Sequence, residues 1–126
     1  MSREIKFRAW DKDIKDFAYF DLDSESECDY TNFCLARGEK EQYTGLKDKN
    51  GKEIYEGDIL EGNNGFRSVI KWDPERARFV YNESPAMVFY QEHVALHMKI
   101  IGNIHESPEL LGDKKWTTYQ NYQKAN

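Results

Sequence analysis

The stretch Gln42-Tyr43-Thr44-Gly45-Leu46-Lys47-Asp48-Lys49-Asn50-Gly51-Lys52-Glu53-Ile54-Tyr55-Glu56-Gly57-Asp58-Ile59-Leu60 decides the fold. Asn50-Gly51 offers two residues that tolerate positive φ, as a type I′ turn requires, so it predicts a hairpin pairing residues 46–49 with 52–55. Glu56-Gly57-Asp58 makes a second tight turn, and Ile59-Leu60 opens a new apolar strand. The stretch holds no cysteine, histidine or serine and no catalytic pairing of acid and base. It specifies architecture rather than activity.

Working outward, the same punctuation recurs. On the N-terminal side, Ile5, Phe7 and Ala9 alternate with Lys6, Arg8 and Trp10, the period-2 pattern of a half-buried strand. Turn-forming residues at 11–16 interrupt it, and Phe17-Ala18-Tyr19-Phe20 resumes it, which predicts a hairpin over residues 4–22. Residues 30–37 fit a short helix or a strand, and read rather as strand or irregular chain. On the C-terminal side, Gly62-Asn63-Asn64-Gly65 is another turn. The following strand, 66–72, puts Phe66, Ser68, Ile70 and Trp72 on one face and Arg67, Val69 and Lys71 on the other. Asp73-Pro74-Glu75-Arg76 reads as a type I turn and residues 77–81 as the returning strand. Residues 87–90 and 97–104 predict two more strands, with a helical turn at 91–96 between them. Ser107-Pro108 is a helix start, serine as cap and proline at the first helical position.

Short strands at this spacing with glycine-bearing turns indicate a small barrel or sandwich. The expected fold is mainly β: an SH3-like small barrel in the C-terminal half, an N-terminal β-hairpin subdomain and little helix. The expected division is a hairpin subdomain at 1–45 packed on the barrel, the barrel at 46–111, and a polar tail at 112–126, in which Trp116, Tyr119 and Tyr122 recur every third residue.

Composition narrows the function classes. With 126 residues the chain fits one compact domain. Seven Phe, eight Tyr and three Trp supply large buried areas and favour strands. The net charge of -5 and pI near 5.2 argue against a general grip on a phosphate backbone. Much of the acid lies in the run 21–29, which reads as a solvated loop. No apolar run reaches the ~18 residues of a membrane span. Met1-Ser2-Arg3-Glu4 leads straight into the first strand without the apolar region of a signal peptide, so the expected location is the cytoplasm. Cys28 and Cys34 are expected there as free thiols.

Three blocks carry a family resemblance. They are Arg3-Glu4-Ile5-Lys6-Phe7-Arg8-Ala9-Trp10-Asp11, then Tyr43-Thr44-Gly45-Leu46-Lys47-Asp48 through Glu56-Gly57-Asp58-Ile59, then Ile101-Gly102-Asn103-Ile104-His105-Glu106-Ser107-Pro108-Glu109-Leu110-Leu111. In this order they resemble the YopX family of small bacteriophage and prophage proteins. The resemblance implies a mainly β chain with an SH3-like barrel, acting in a bacterial host cytoplasm, with self-association as a further expectation. It implies no activity and no catalytic residue. The segments 21–29 and beyond 112 depart from the family pattern.

No catalytic, cofactor or metal residue is assigned. His93 and His97, at i and i+4, would share one face of a helix, with His105, Glu92 or Cys34 as further ligands, but the helix they need is short. Residues 11–16 and 48–51 each match part of a calcium loop and lack its remaining ligands. Cys34 with His93 or His97 has no local signature of a nucleophile and base. The leading expectation is a non-enzymatic module that binds a protein partner of host or phage. The alternative is a nucleic-acid-binding SH3-like domain, disfavoured by the acidic charge. Lys47, Lys49 and Lys52 at the hairpin tip, with Arg67, Lys71, Trp72 and Arg78 on adjacent strands, form the candidate partner or nucleic-acid surface; Arg76, Tyr43, Tyr55 and Tyr90 extend it.

Overall fold

The computed structural model describes residues 4–21 and 40–111. The expectations placed on residues 22–39 and 112–126, including Cys28, Cys34 and the aromatic tail, lie outside the described residues. The fold is mainly β, as the sequence predicts: two four-stranded antiparallel sheets, one curled into a half-barrel, and little helix. The first sheet has the order β2-β1-β3-β4, from β1 (Lys6–Asp11), β2 (Asp16–Asp21), β3 (Lys40–Lys47) and β4 (Glu53–Tyr55). The second has the order β7-β6-β5-β8, from β5 (Asp58–Gly62), β6 (Arg67–Asp73), β7 (Arg78–Tyr81) and β8 (Met98–Asn103). Helix α1 (Gln91–His97) precedes β8, and a 3-10 helix (Pro108–Leu111) follows it.

The second sheet is covered on both faces. Ile59 and Leu60 are consecutive on β5, point to opposite sides, and are both fully buried. Leu60 packs with Ile54, Ile70, Tyr81, Val94 and Met98. Ile59 packs with Val69, Ile104 and Leu111. Each such side chain contributes about 1.5–3 kcal/mol through burial. Double coverage also explains β6, where Ser68, Val69, Ile70 and Lys71 are all buried. The strand lies between β5 and β7, and both its faces are covered over residues 68–71, while Trp72 near its end is exposed.

The hairpin at Asn50-Gly51 forms, with Lys47 opposite Glu53, but its turn is not type I′. Gly51 has φ +80°, whereas Asn50 is not among the described non-glycine residues with positive φ. The Gly51 amide donates to Asp48 O at 2.9 Å and the Asp48 amide to Lys52 O at 2.9 Å. This is a type I turn closed by a glycine bulge. Asp48 imposes it: Oδ1 accepts from the Asn50 and Lys52 amides, and Oδ2 accepts from the Ile100 amide, each at 2.9 Å. The turn is therefore bolted to β8. The glycine turns at 56–58 and 62–65 form as expected.

Two further expectations change. Residues 87–90 are not a strand; they form an irregular approach to α1, whose seven residues exceed the single turn expected. Val94, the buried residue of α1, anchors the segment by its helix face instead of by sheet pairing.

Candidate functional site

The three blocks quoted above meet at one place. Arg8 stands in register between Tyr19 on β2 and Glu41 on β3. Alternation would put it on a solvent face, yet its side chain is only 5% exposed, because Glu41, Asp58 and the rings of Phe17 and Tyr55 close around it. Its Nε donates to Glu41 Oε1 at 2.9 Å. Its Nη2 donates to Asp58 Oδ1 at 2.9 Å and to Glu56 O at 3.0 Å. Asp58 begins β5, so this guanidinium joins the two sheets. The other Asp58 oxygen, Oδ2, accepts from the Tyr55 amide at 2.8 Å. Glu41 Oε2 lies 2.9 Å from His105 Nε2, and the His105 ring stacks on Trp10 at 5.2 Å and 11°. The guanidinium also lies 4.1 Å from the centre of the Phe17 ring and 5.0 Å from that of Tyr55.

Gly57 makes room for this cluster. Its φ is +86°, and a Cβ there would fall 3.0 Å from Glu41 Cδ. Its amide donates to Ile70 O and its carbonyl accepts from the Ile104 amide, so the turn is tied to β6 and to the chain beyond β8.

Burial dominates the electrostatics. It pushes the Asp58 carboxyl up to about 6, against the opposing pull of Arg8 and the Tyr55 amide. Burial would lower the Arg8 guanidinium, but Asp58 and Glu41 outweigh it and raise it. Burial likewise pushes the Tyr55 hydroxyl up to about 12 and raises that of Tyr19.

Above the cluster lies a polar cleft of about 630 Å³ between the sheets. Arg8 and Asp58 form its floor, and Phe17, Tyr19 and Tyr55 its aromatic wall. Asp16, Glu53, Glu106 and Lys52 lie at its sides, with Asn103 and Ser107 beyond them. The floor is internally paired: both Asp58 oxygens accept hydrogen bonds, and Arg8 is bonded through Nε and Nη2. Carboxylates beside aromatic faces suit a cationic group, drawn by charge and by the ring quadrupoles.

The surface expected from sequence does not assemble as one patch. Lys47 faces Glu53 across the β3–β4 pair, and its backbone is clasped by the Gln91 amide. Lys52 joins the cleft. Arg67 pairs with Glu61 at 2.7 Å and donates to Leu110 O at 3.3 Å; Lys49 and Lys99 act on the same Glu61 carboxylate, which Arg67 foremost holds below its usual range. Lys71 is buried, and burial lowers its ammonium. Trp72 is exposed and packs edge-on against Phe79. Arg78 faces Asp73 in register. The histidines divide too: His93 and His97 lie together on α1 with ring centres 5.0 Å apart, while His105 belongs to the Arg8 cluster. Among the described residues, no group of three or more His, Cys, Asp and Glu is placed to hold a metal, and no helix is long and apolar enough to cross a membrane.

The YopX protein family model matches residues 6–112. The chain belongs to the YopX family. A solved structure, protein EF1440 from Enterococcus faecalis, is 32% identical and aligns over 87% of this chain and 99% of its own with a TM-score of 0.60. Comparison with curated proteins gives no match. The YopX match spans the whole cleft, from Arg8 to Ser107. The sequence reading assigns no site to Arg8, Glu41 or Asp58, which sit among ordinary charged residues, and places His105 only as a further ligand to a metal. The one available signal was that Arg8, Asp58 and His105 fall in three different blocks of the family pattern.

Proposed function

We propose that the protein is a phage- or prophage-encoded, non-enzymatic accessory module that binds a basic segment of a protein partner in the bacterial cytoplasm. The observation that carries this reading is the cleft between the sheets. Its side carboxylates, Asp16, Glu53 and Glu106, line the same cleft as the rings of Tyr19 and Tyr55; Glu53 is paired with Lys6, and Arg8 and Asp58 on the floor are bonded to each other. Such a site holds a lysine or arginine side chain and leaves it unchanged. The net charge of -5 favours the same partner by long-range attraction. The dispersal of the lysines and arginines, several of them facing carboxylates, supports a protein partner over nucleic acid.

The test is retention of host and phage proteins by the immobilised wild-type chain and by the Asp16→Lys/Glu106→Lys double variant. The expected result is a specific basic protein held by the wild type, released by rising salt and not held by the variant. Equal retention by both, or none by the wild type, would sink the reading. Titration with single- and double-stranded DNA and RNA at low salt is expected to show no binding.

A further inference from the structure

Histidines at i and i+4 share one face of a helix and can share one ion there. His93 and His97 have this spacing, and the helix it needs is formed: α1 spans Gln91–His97, with Val94 buried between the two histidines.

Their ring centres lie 5.0 Å apart. Two imidazoles on one zinc ion, at Zn–N about 2.0–2.1 Å and a near-tetrahedral angle, hold their ring centres about 5 Å apart. The pair is therefore already spaced for a shared ion. The nitrogens are sorted as well. His93 Nδ1 is buried, whereas its Nε2 is neither buried unpaired nor hydrogen-bonded among the described residues, so it is open to solvent. His97 is exposed, and its Nδ1 lies 3.1 Å from Asn63 Nδ2. With the Asn63 amide turned so that its oxygen accepts from Nδ1–H, this is the outer contact that ligating histidines usually make. It leaves His97 Nε2 for a metal.

The surroundings select the ion. Both rings line a cavity of about 620 Å³, together with Asn63, Asn64, Met87 and Met98. These neighbours carry thioethers and amides, and the residues lining the cavity include no carboxylate. Imidazole and thioether donors suit borderline and soft transition ions, whereas calcium and magnesium take oxygen ligands.

We infer that His93 and His97 bind one zinc ion through their Nε2 atoms, with water in the remaining positions. Two protein ligands make this a chelate smaller than the three-residue groups that are lacking among the described residues. The site shares no lining residue with the proposed partner cleft, and neither reading depends on the other.

The test uses the full chain, without an affinity tag and stripped of metal by a chelator. ZnCl₂, MgCl₂ and CaCl₂ are titrated in by calorimetry at neutral pH, and the histidine ring nitrogens are followed by nuclear magnetic resonance. Expected are saturable zinc binding, none of magnesium or calcium, and shifts at His93 and His97 Nε2 with His105 unmoved. His97→Gln alters an exposed position and should fold. It is expected to weaken zinc binding by more than the roughly tenfold that even an outer contact of a ligand is worth. It should also remove the rise in melting temperature that excess zinc gives the wild type. The inference is overturned by absent zinc binding, by binding that His97→Gln leaves undiminished, or by zinc shifts at His105 in place of His93 and His97.

Discussion

Arg8→Met should be among the most destabilising single changes in the chain, and the structure says by how much. The substitution keeps the aliphatic stem and removes the charge that faces Glu41 and Asp58, whose side chains are 7% and 5% exposed. Removing one partner of a buried ion pair costs about 3–5 kcal/mol, because the remaining charge stays out of water unpaired. Here two carboxylates and the Glu56 carbonyl lose a donor, which puts the loss toward the upper end, about 4 kcal/mol or more. For a domain of this size that lowers the melting temperature by roughly 15 °C. Urea unfolding followed by tryptophan fluorescence and circular dichroism measures it. The decisive companion is Arg8→Met/Glu41→Gln/Asp58→Asn, which removes the stranded charges too and should recover most of the loss. A deficit under about 1 kcal/mol in the single variant, or a triple variant no better than the single, would refute the assignment of Arg8 as the clasp between the sheets.

Other expectations rest on separate features. Because burial holds Asp58 at about 6 against an ordinary 3.8, the folded chain keeps a proton that the unfolded chain releases. That contribution is complete below pH ~3.8, is lost as pH rises through ~6, and amounts to roughly 3 kcal/mol. The wild-type stability minus that of Asp58→Asn should therefore fall by about this much between pH 4 and 7, and a flat difference would contradict the burial. Asp48→Ala should cost about 3 kcal/mol in urea unfolding, since three backbone amides lose their acceptor; Asp48→Glu should not restore it. Gly51→Ala meets nothing within 4 Å and should lose only the left-handed backbone preference, about 1–2 kcal/mol. Gly57→Ala has nearly the same φ but drives its Cβ into the Glu41 carboxylate, and should lose clearly more. Equal losses at the two glycines would show that the Gly57 turn is not held against Glu41.

The strands were legible where one rule decided them. The hairpin of β1 and β2 follows from alternation, and the corners at Gly57 and Gly65 follow from glycine, both at positive φ. The errors arose where a distant residue overrode a local preference. Asn-Gly favours a type I′ turn, but Asp48, held by the Ile100 amide of β8, sets a type I turn with a bulge. Residues 87–90 have strand composition, but the start of α1 directs them away from the sheet. Lys71 reads as solvent-facing by charge and is buried because both faces of β6 are covered. The site was less legible than the fold for the same reason. Arg8, Glu41, Asp58 and His105 come from four separate segments, and no spacing rule joins residues so far apart in the chain.

The position of the charges explains why an internally paired cluster can still serve a binding site. An arginine with two buried carboxylates adds less stability than its short distances suggest, since all three groups leave water and apolar residues of similar volume would serve as well. Its contribution is directional. The guanidinium fork meets Glu41 within its own sheet and Asp58 in the other, and both contacts hold only when the sheets sit in one relative placement. The same guanidinium lies against the rings of Phe17 and Tyr55, and Tyr19 meets Tyr55 edge-on at 5.7 Å. The floor therefore fixes the aromatic wall, and with it the width of the cleft in which the carboxylates of Asp16, Glu53 and Glu106 stand. In the proposed reading the buried charges never touch the partner; they hold apart the surfaces that do.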